Sequence, residues 1–124
     1  MPNPNKAKGS AWERAVSVYL NDNGFKVQRK LATGGPDQGD LEGLPHWAVE
    51  CKDHARPAWW DFVRQANVEA KNASKPWGVA VVKKRQAPTA QALVVMDLDT
   101  WVSVLKHMER LANEPDGPCV NCLE

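Results

Sequence analysis

The chain has 124 residues and a formal net charge of +1, with sixteen lysines and arginines against fifteen acidic residues. This length suits one domain with a single hydrophobic core, and no apolar run approaches the ~18 residues needed to cross a bilayer. The N-terminus lacks the apolar segment of a secretory signal, and the three cysteines are not spaced as a disulfide framework, so we expect a cytoplasmic protein and no membrane partner.

Charge is distributed unevenly along the chain. Every lysine and arginine precedes residue 113, whereas three of the acidic residues follow it. A moderately basic body suits a nucleic-acid partner without requiring one. Residues 1–9 are polar and predict a flexible basic arm, in which Lys6 and Lys8 either lie on phosphates or belong to an ordinary terminus.

The domain is predicted to span residues 10–112 and to begin with a helix from Ser10 to Asn23, which has apolar residues at helical spacing. Ser10-x-x-Glu13 fits a capping box, which gives Glu13 an ordinary structural role. Glu13 also borders the apolar stripe, so its carboxylate could instead reach the edge of a sheet beneath the helix.

Phe25 to Leu31 alternates apolar and polar residues, which predicts a strand with one solvated face and with Arg29 near its exposed end. Residues 32–39 are rich in glycine and predict a loop. Arg29 or Thr33 could contact a phosphate there, and the loop could equally be an ordinary connection.

The most informative stretch runs from Gly39 to Lys52 and predicts two short strands joined by a turn around Pro45. Glu50 and Lys52 are two residues apart and therefore share one face of their strand. If the hairpin is symmetric about Pro45, Asp40 lies opposite Glu50 with Cβ atoms about 5 Å apart. The intervening residues form the opposite, apolar face: Trp47, Val49 and Cys51.

Two carboxylates and one ammonium would then converge on the exposed face of this hairpin. Like charges placed opposite each other destabilise a sheet unless a cation lies between them. A divalent cation such as Mg²⁺ binds a few carboxylate oxygens together with water and phosphate. The spacing alone fits a metal site and a solvated rim with an incidental ion pair equally well.

The second half of the chain predicts a helix, two strands and a last helix. The first of these helices runs from Pro57 to Asn72, and the run of valines in Trp77 to Lys83 predicts a central strand. Ala92 to Leu98 predicts the final strand. A helix capped by Asp99 or Thr100 then continues to Ala112.

Each of these two helices has an apolar stripe along one face. A run of basic residues follows the central strand. The first stripe contains Trp59, Phe62, Val63, Ala66 and Ala70, and the second contains Trp101, Val104, Leu105, Met108 and Ala112. Lys83, Lys84 and Arg85 suit either solvent or a DNA backbone. The order of elements predicts an α/β sandwich around a central mixed sheet.

Residues 113–124 predict a disordered tail. Cys119 and Cys122 have the spacing of half a zinc site, which only two tails brought together in a dimer would complete.

Several of these residues together resemble a known superfamily. Asp40, nine intervening residues and Glu50-Cys51-Lys52 resemble the Asp…Glu-x-Lys signature of the PD-(D/E)XK nucleases. With Gly9-x-x-x-Glu13-Arg14 and Gly24-Phe25-x-Val27-x-Arg29 upstream, the pattern is similar to the archaeal and phage Holliday-junction resolvases of that superfamily. The resemblance covers about residues 8 to 100. Asp37, which forms a literal Pro-Asp with Pro36, is a rival to Asp40, but Asp40 has the better register with Glu50.

The resemblance implies a restriction-endonuclease-like α/β sandwich with a central mixed five-stranded sheet flanked by helices. It implies Mg²⁺, with Mn²⁺ as a substitute, held by Asp40, Glu50 and the backbone carbonyl of Cys51, with Glu13 completing the acidic cluster. Lys52 would orient the attacking water or neutralise charge on the scissile phosphate. Gln65 is either a further active-site residue or a solvated side chain.

The implied activity is hydrolysis of phosphodiester bonds at four-way junctions in branched double-stranded DNA, by a homodimer and without a small-molecule substrate. A duplex, flap or restriction-type endonuclease on the same fold is the first alternative. A DNA-binding module without catalysis is the second. The candidate DNA contacts are Lys6, Lys8, Arg29, Lys30, Thr33, His54, Lys83, Lys84 and Arg85.

Overall fold

The predicted α/β organisation is confirmed by a computed structural model, which describes residues 4–31 and 34–114. Within this part of the chain, three helices accompany a five-stranded mixed sheet. The elements are α1 (Pro4–Asp22), β1 (Gln28–Arg29), β2 (Leu41–Glu42), β3 (Trp47–Lys52), α2 (Trp59–Asn72), β4 (Trp77–Val82), a 3₁₀ turn (Thr89–Gln91), β5 (Leu93–Val95) and α3 (Leu98–Asn113). No described helix combines the length and the apolar character needed to cross a membrane.

The strands of the sheet lie in chain order, β1-β2-β3-β4-β5. The β3–β4 pair is parallel and is connected through α2, and the other pairs are antiparallel. In the hairpin of β2 and β3, Leu41 pairs with Val49, which is the predicted register centred on residue 45. The predicted central strand is also confirmed, because every residue of β4 is buried.

The two faces of the sheet are covered by different helices. On one face, here the α1 face, Trp12 and Val16 pack with Val49, Cys51 and other strand residues, and the Trp12 indole N–H donates to the Val81 carbonyl at 3.1 Å. On the other face, the α2 face, Phe62 packs against Ala80 and Val82.

The helix α2 lies very close to β4. A Cβ added at Gly78 would come within 2.2 Å of the backbone oxygen of Ala66. Glycine at this position is therefore what allows the helix to approach the strand so closely.

The predicted start of the first helix is wrong. α1 begins at Pro4, so Ser10 lies inside the helix and cannot form the predicted capping box with Glu13. Proline is tolerated in a first turn and the lysines are good helix formers, so residues 4–9 continue the helix despite Gly9. The flexible arm is accordingly not observed over these residues, and Met1 to Asn3 lie outside the described part of the chain.

The first and last strands are shorter than predicted. Phe25 and Leu31 are exposed and only Val27 is buried as expected. The side chain of Asn21 both donates to the Val27 carbonyl at 3.0 Å and accepts its N–H at 2.8 Å. Because Val27 is bonded to Asn21 in this way, its backbone is not available to the sheet, and the strand begins only at Gln28.

The predicted cap of the last helix is wrong as well. Asp97, and not Asp99 or Thr100, caps α3 by accepting the Thr100 N–H at 2.7 Å. No residue of α3 is buried, and the side chain of Trp101 is 51% exposed. The expected tail from residue 115 onward, with Cys119 and Cys122, lies outside the described residues.

Candidate metal centre

Three acidic side chains from different elements meet on the α2 face of the sheet. Asp37 lies in the loop before β2, Glu50 on β3 and Glu69 on α2, and one carboxylate oxygen from each lies within 4.8 Å of the other two. We call this group the three-carboxylate centre. Oxygen ligands at such a spacing are those that a hard dication prefers.

Two members of the three-carboxylate centre are almost completely removed from solvent. Glu50 is 4% exposed and Glu69 is 1% exposed, whereas Asp37 is exposed. Among the described residues, Oε2 of Glu50 and Oε2 of Glu69 have no hydrogen-bond partner. Buried carboxylates without partners are unfavourable unless they are protonated or bind a cation. The centre therefore fits a divalent cation on the evidence of its own unpaired oxygens.

The loop that carries Asp37 is held against the end of α2. The Asn72 side chain donates to the Asp37 carbonyl at 2.7 Å, and the Asp37 carboxylate accepts the Gly39 N–H at 2.9 Å. These bonds place Asp37 at the open side of the centre, where solvent or a substrate could approach.

Asp40 lies beside the centre, just before the first residue of β2. Its N–H donates to the Val49 carbonyl at 2.7 Å, and its carboxylate accepts the Cys51 N–H at 2.8 Å. Gly39 has a φ of +104°, and a Cβ there would lie 3.1 Å from the Val49 oxygen. Glycine before Asp40 thus permits the backbone to turn the carboxylate toward β3.

Burial and mutual repulsion raise the pKa values of this acidic group. Burial, followed by the proximity of Glu50, raises the pKa of Asp40 to about 7. Burial, with Glu69 as the next cause, raises the pKa of Glu50 to about 8, and burial, with Asp37 next among the raising causes, raises the pKa of Glu69 to about 7. The group therefore retains protons near neutral pH that a bound dication would displace.

The predicted basic partner is present. The Lys52 ammonium lies 3.4 Å from the Glu50 carboxylate and 5.4 Å from the centroid of the Phe62 ring. The shared face of Glu50 and Lys52 is thus confirmed. The expectation that this face is solvated is wrong for Glu50, because α2 covers it.

The other predicted site residues lie on both sides of the sheet. Glu13 reaches from α1, where burial and then the charge of Asp40 raise its pKa, and it pairs with Arg29 at 3.7 Å. Gln65 donates to the Glu69 carboxylate at 3.0 Å, so it supports an acidic side chain of the centre. Cys51 donates its backbone N–H to Asp40, and its side chain lies in the core of the α1 face.

Glu69 is a member of the centre that the sequence analysis missed. It lies among the buried residues of α2, which are Phe62, Ala66, Glu69 and Ala70. An acidic residue at a core-facing position of an amphipathic helix is the signal that could have identified it, because a carboxylate is almost never fully buried without a partner.

The predicted DNA contacts fall into two groups. Lys83 and Arg85 contact Asp53, at 3.9 and 3.2 Å respectively, and lie at the ends of β3 and β4 near Lys52. The others occupy separate positions: Lys6 and Lys8 on α1, Arg29 beside Glu13, Lys30 beside Glu42, His54 against the Phe62 ring, and Lys84 beside Gln91. Thr33 lies outside the described residues.

Comparison of the chain with protein-family models, with curated proteins and with solved structures found no match.

Proposed function

We propose that this chain is a Mg²⁺-dependent DNA endonuclease of the PD-(D/E)XK kind that hydrolyses phosphodiester bonds, with four-way junctions as its substrate. The observation that carries the proposal is the three-carboxylate centre, whose two buried members have unpaired oxygens, beside the ammonium of Lys52. The choice of junctions over other DNA rests on the sequence resemblance. α1 and α2, which cover opposite faces of a mixed sheet, support a restriction-endonuclease-like sandwich.

In the proposed mechanism, Asp37, Glu50 and Glu69 would hold the cation. Mg²⁺, or Mn²⁺ in its place, would supply Lewis-acid activation of a water molecule and positive charge beside the phosphate. Gln65 fixes the orientation of Glu69 through its 3.0 Å hydrogen bond. Asp40 is anchored to the Cys51 N–H and adds negative charge on the side that faces Glu13.

Lys52 is the cationic side chain that the hairpin places against the centre. Its side chain is 16% exposed, and its ammonium lies between Glu50 and the Phe62 ring. A confined cation in a weakly solvated site stabilises negative charge that develops on a transferring phosphate more strongly than one in bulk water. Lys52 is therefore proposed to neutralise the scissile phosphate or to orient the attacking water.

Cleavage of a labelled four-way junction, beside a linear duplex of the same sequence, tests this proposal. Incubation with Mg²⁺ is expected to give paired, symmetric nicks in the junction, and EDTA is expected to abolish them. Asp40→Asn and Lys52→Ala should lose at least about 10²-fold in rate, in line with removal of charge-stabilising groups in other enzymes. Asp37→Asn should lose activity as well, because Asp37 belongs to the centre.

The control variant is Asp22→Asn, which changes an exposed acidic residue at the end of α1 and should leave cleavage unchanged. Equal cutting of duplex and junction would remove the junction preference and favour a duplex, flap or restriction-type enzyme. Tight DNA binding without any cutting would overturn the catalytic proposal and leave a DNA-binding module.

A homodimer follows from the proposed activity, because symmetric cutting of a junction needs two active sites. The apolar side of α3 is the surface that supports it, since Trp101, Leu105 and Met108 are exposed there. Exposed apolar surface of this kind is typical of protein interfaces. Sedimentation velocity should show a dimer that Leu105→Lys dissociates, and a monomeric wild-type protein at micromolar concentration would refute this part.

A further inference from the structure

Asp53, the residue directly after β3, is buried and is used by none of the steps above. Its side chain is 3% exposed. Arg85 Nε lies 3.2 Å from one carboxylate oxygen and Lys83 Nζ lies 3.9 Å from the other. The Lys83 N–H also donates to the Lys52 carbonyl at 2.9 Å, so the backbone of the two strand ends is joined at this point.

The three side chains have very different access to solvent. Asp53 is buried, whereas the side chains of Lys83 and Arg85 are 36% and 43% exposed. Arg85 has five N–H donors and Lys83 has three, so most of their donors remain free when both contact one carboxylate. The two cations and the Asp53 carboxylate therefore carry a net charge of +1, and the cations direct their free donors toward solvent.

This arrangement is poorly suited to stability alone. Within the described part of the chain, Oδ1 of Asp53 makes no hydrogen bond of good geometry, although Arg85 is close to it. A buried carboxylate needs well-directed hydrogen bonds to offset its desolvation, and a partly satisfied one is often less stable than an apolar residue. The ion pair is therefore a candidate for a role beyond stability.

The position of the pair relates it to the candidate metal centre. Lys83 Nζ lies 5.8 Å from the centroid of the Trp12 ring, and the neighbouring Glu13 pairs with Arg29. Lys83 thus lies on the α1 side of the sheet, at the ends of the interior strands β3 and β4, and Lys52 lies on the α2 side. Lys84, between them in sequence, instead lies 3.4 Å from the Gln91 side chain.

We propose that Asp53 is a positioning residue that holds Lys83 and Arg85 together as a clamp for a backbone phosphate of DNA next to the cleaved bond. This inference rests on the proposed function. It separates the three consecutive cations into two that bind the phosphate, Lys83 and Arg85, and one that does not, Lys84.

Because Asp53 is negatively charged, the direction in which Asp53→Asn changes DNA affinity tests the proposal. Asp53→Asn raises the net charge of the protein by one unit, so long-range electrostatics alone would tighten its binding to DNA. A positioning role predicts the opposite, because the two cations lose the group that fixes them. We expect Asp53→Asn to weaken junction binding about tenfold at 0.1 M salt, the effect of losing ordered phosphate contacts.

The experiment measures binding of a labelled four-way junction over a range of salt concentrations, with Ca²⁺ in place of Mg²⁺ so that the DNA is not cut. Lys83→Gln combined with Arg85→Gln should reduce the slope of log affinity against log salt by about 2. Lys84→Gln, the matched control, should leave the slope unchanged. Adding Asp53→Asn to the double variant should produce no further loss, because Asp53 acts through the two cations.

Unchanged or tighter binding by a folded Asp53→Asn variant would overturn the inference, and so would a further loss in the triple variant. If Asp53→Asn does not fold, the test uses the single variants Lys83→Gln, Arg85→Gln and Lys84→Gln. Equal slopes of log affinity against log salt for these three variants would overturn the inference. Binding that follows the predicted slopes without cleavage in Mg²⁺ supports the clamp and refutes the nuclease. A wild-type protein that does not bind DNA refutes both.

Discussion

Replacing Glu69 by glutamine would separate two effects of the three-carboxylate centre: its cost to the stability of the fold and its contribution to metal binding. Burial and the neighbouring Asp37 raise the pKa of Glu69 from 4.5 to about 7. Because this folded-state pKa lies above the unfolded one, the stability contributed by the protonated form is fully present below about pH 4.5 and is lost as the pH rises to about 7. One pKa unit corresponds to about 1.4 kcal/mol, so the ionised side chain disfavours the fold by about 3 kcal/mol at pH 8.

Glutamine keeps the shape of Glu69 and an oxygen for the Gln65 hydrogen bond, but it carries no charge. Without metal, Glu69→Gln should therefore be more stable than the wild type by about 3 kcal/mol at pH 8 and by less than about 1 kcal/mol at pH 5. For a domain of this size, the difference at pH 8 corresponds to a rise in melting temperature of roughly 10 °C.

Thermal and urea unfolding, followed by circular dichroism in EDTA and in Mg²⁺, would measure these differences. Mg²⁺ at 100 times its dissociation constant should stabilise the wild type at pH 8 by about 2.7 kcal/mol. The variant, which lacks one ligand, should gain less. Glu109→Gln, exposed on α3, serves as the control and should shift stability by no more than about 0.5 kcal/mol.

An equal effect of Glu69→Gln at pH 5 and pH 8 would refute this reasoning, because the cost would then not arise from ionisation. Equal stabilisation of both proteins by Mg²⁺ would show that Glu69 is not a ligand.

Two further substitutions test how the fold supports the centre. Gly78→Ala should destabilise the protein by about 3 kcal/mol or more in urea unfolding, because the new Cβ would meet the Ala66 oxygen at 2.2 Å and push α2 away from β4. A loss of stability below about 1 kcal/mol would mean that α2 can shift freely. Lys75→Met removes an ammonium that donates to the carbonyls of Leu44 and Trp47 at 3.1 and 3.0 Å. Its loss should cost about 1–3 kcal/mol in the same assay, and an unchanged midpoint would show that water satisfies both carbonyls.

The features that the sequence predicted well depend on strong local patterns. The turn around Pro45 and the flanking alternation fix the hairpin register, so the pairing of Leu41 with Val49 follows from residues close in the chain. The run of valines in β4 likewise predicts a buried strand without any tertiary information.

The features that the sequence did not predict depend on contacts between distant residues. Asn21 bonds to both backbone groups of Val27, and nothing in the local strand pattern reports this. The apolar residues of α2 predict its buried face, but they do not reveal that Glu69 shares this face. The apolar stripe of α3 predicts the helix itself, but an amphipathic pattern does not identify the surface against which the apolar side packs.

The chain order of the strands has a kinetic consequence. Asp37, Glu50 and Glu69 all come from the stretch that forms β2, β3 and α2, so they are brought together through short loop closures. Their mutual repulsion therefore opposes docking of α2 onto β3. If this docking belongs to the folding nucleus, protons or a dication will act mainly by accelerating folding rather than by slowing unfolding.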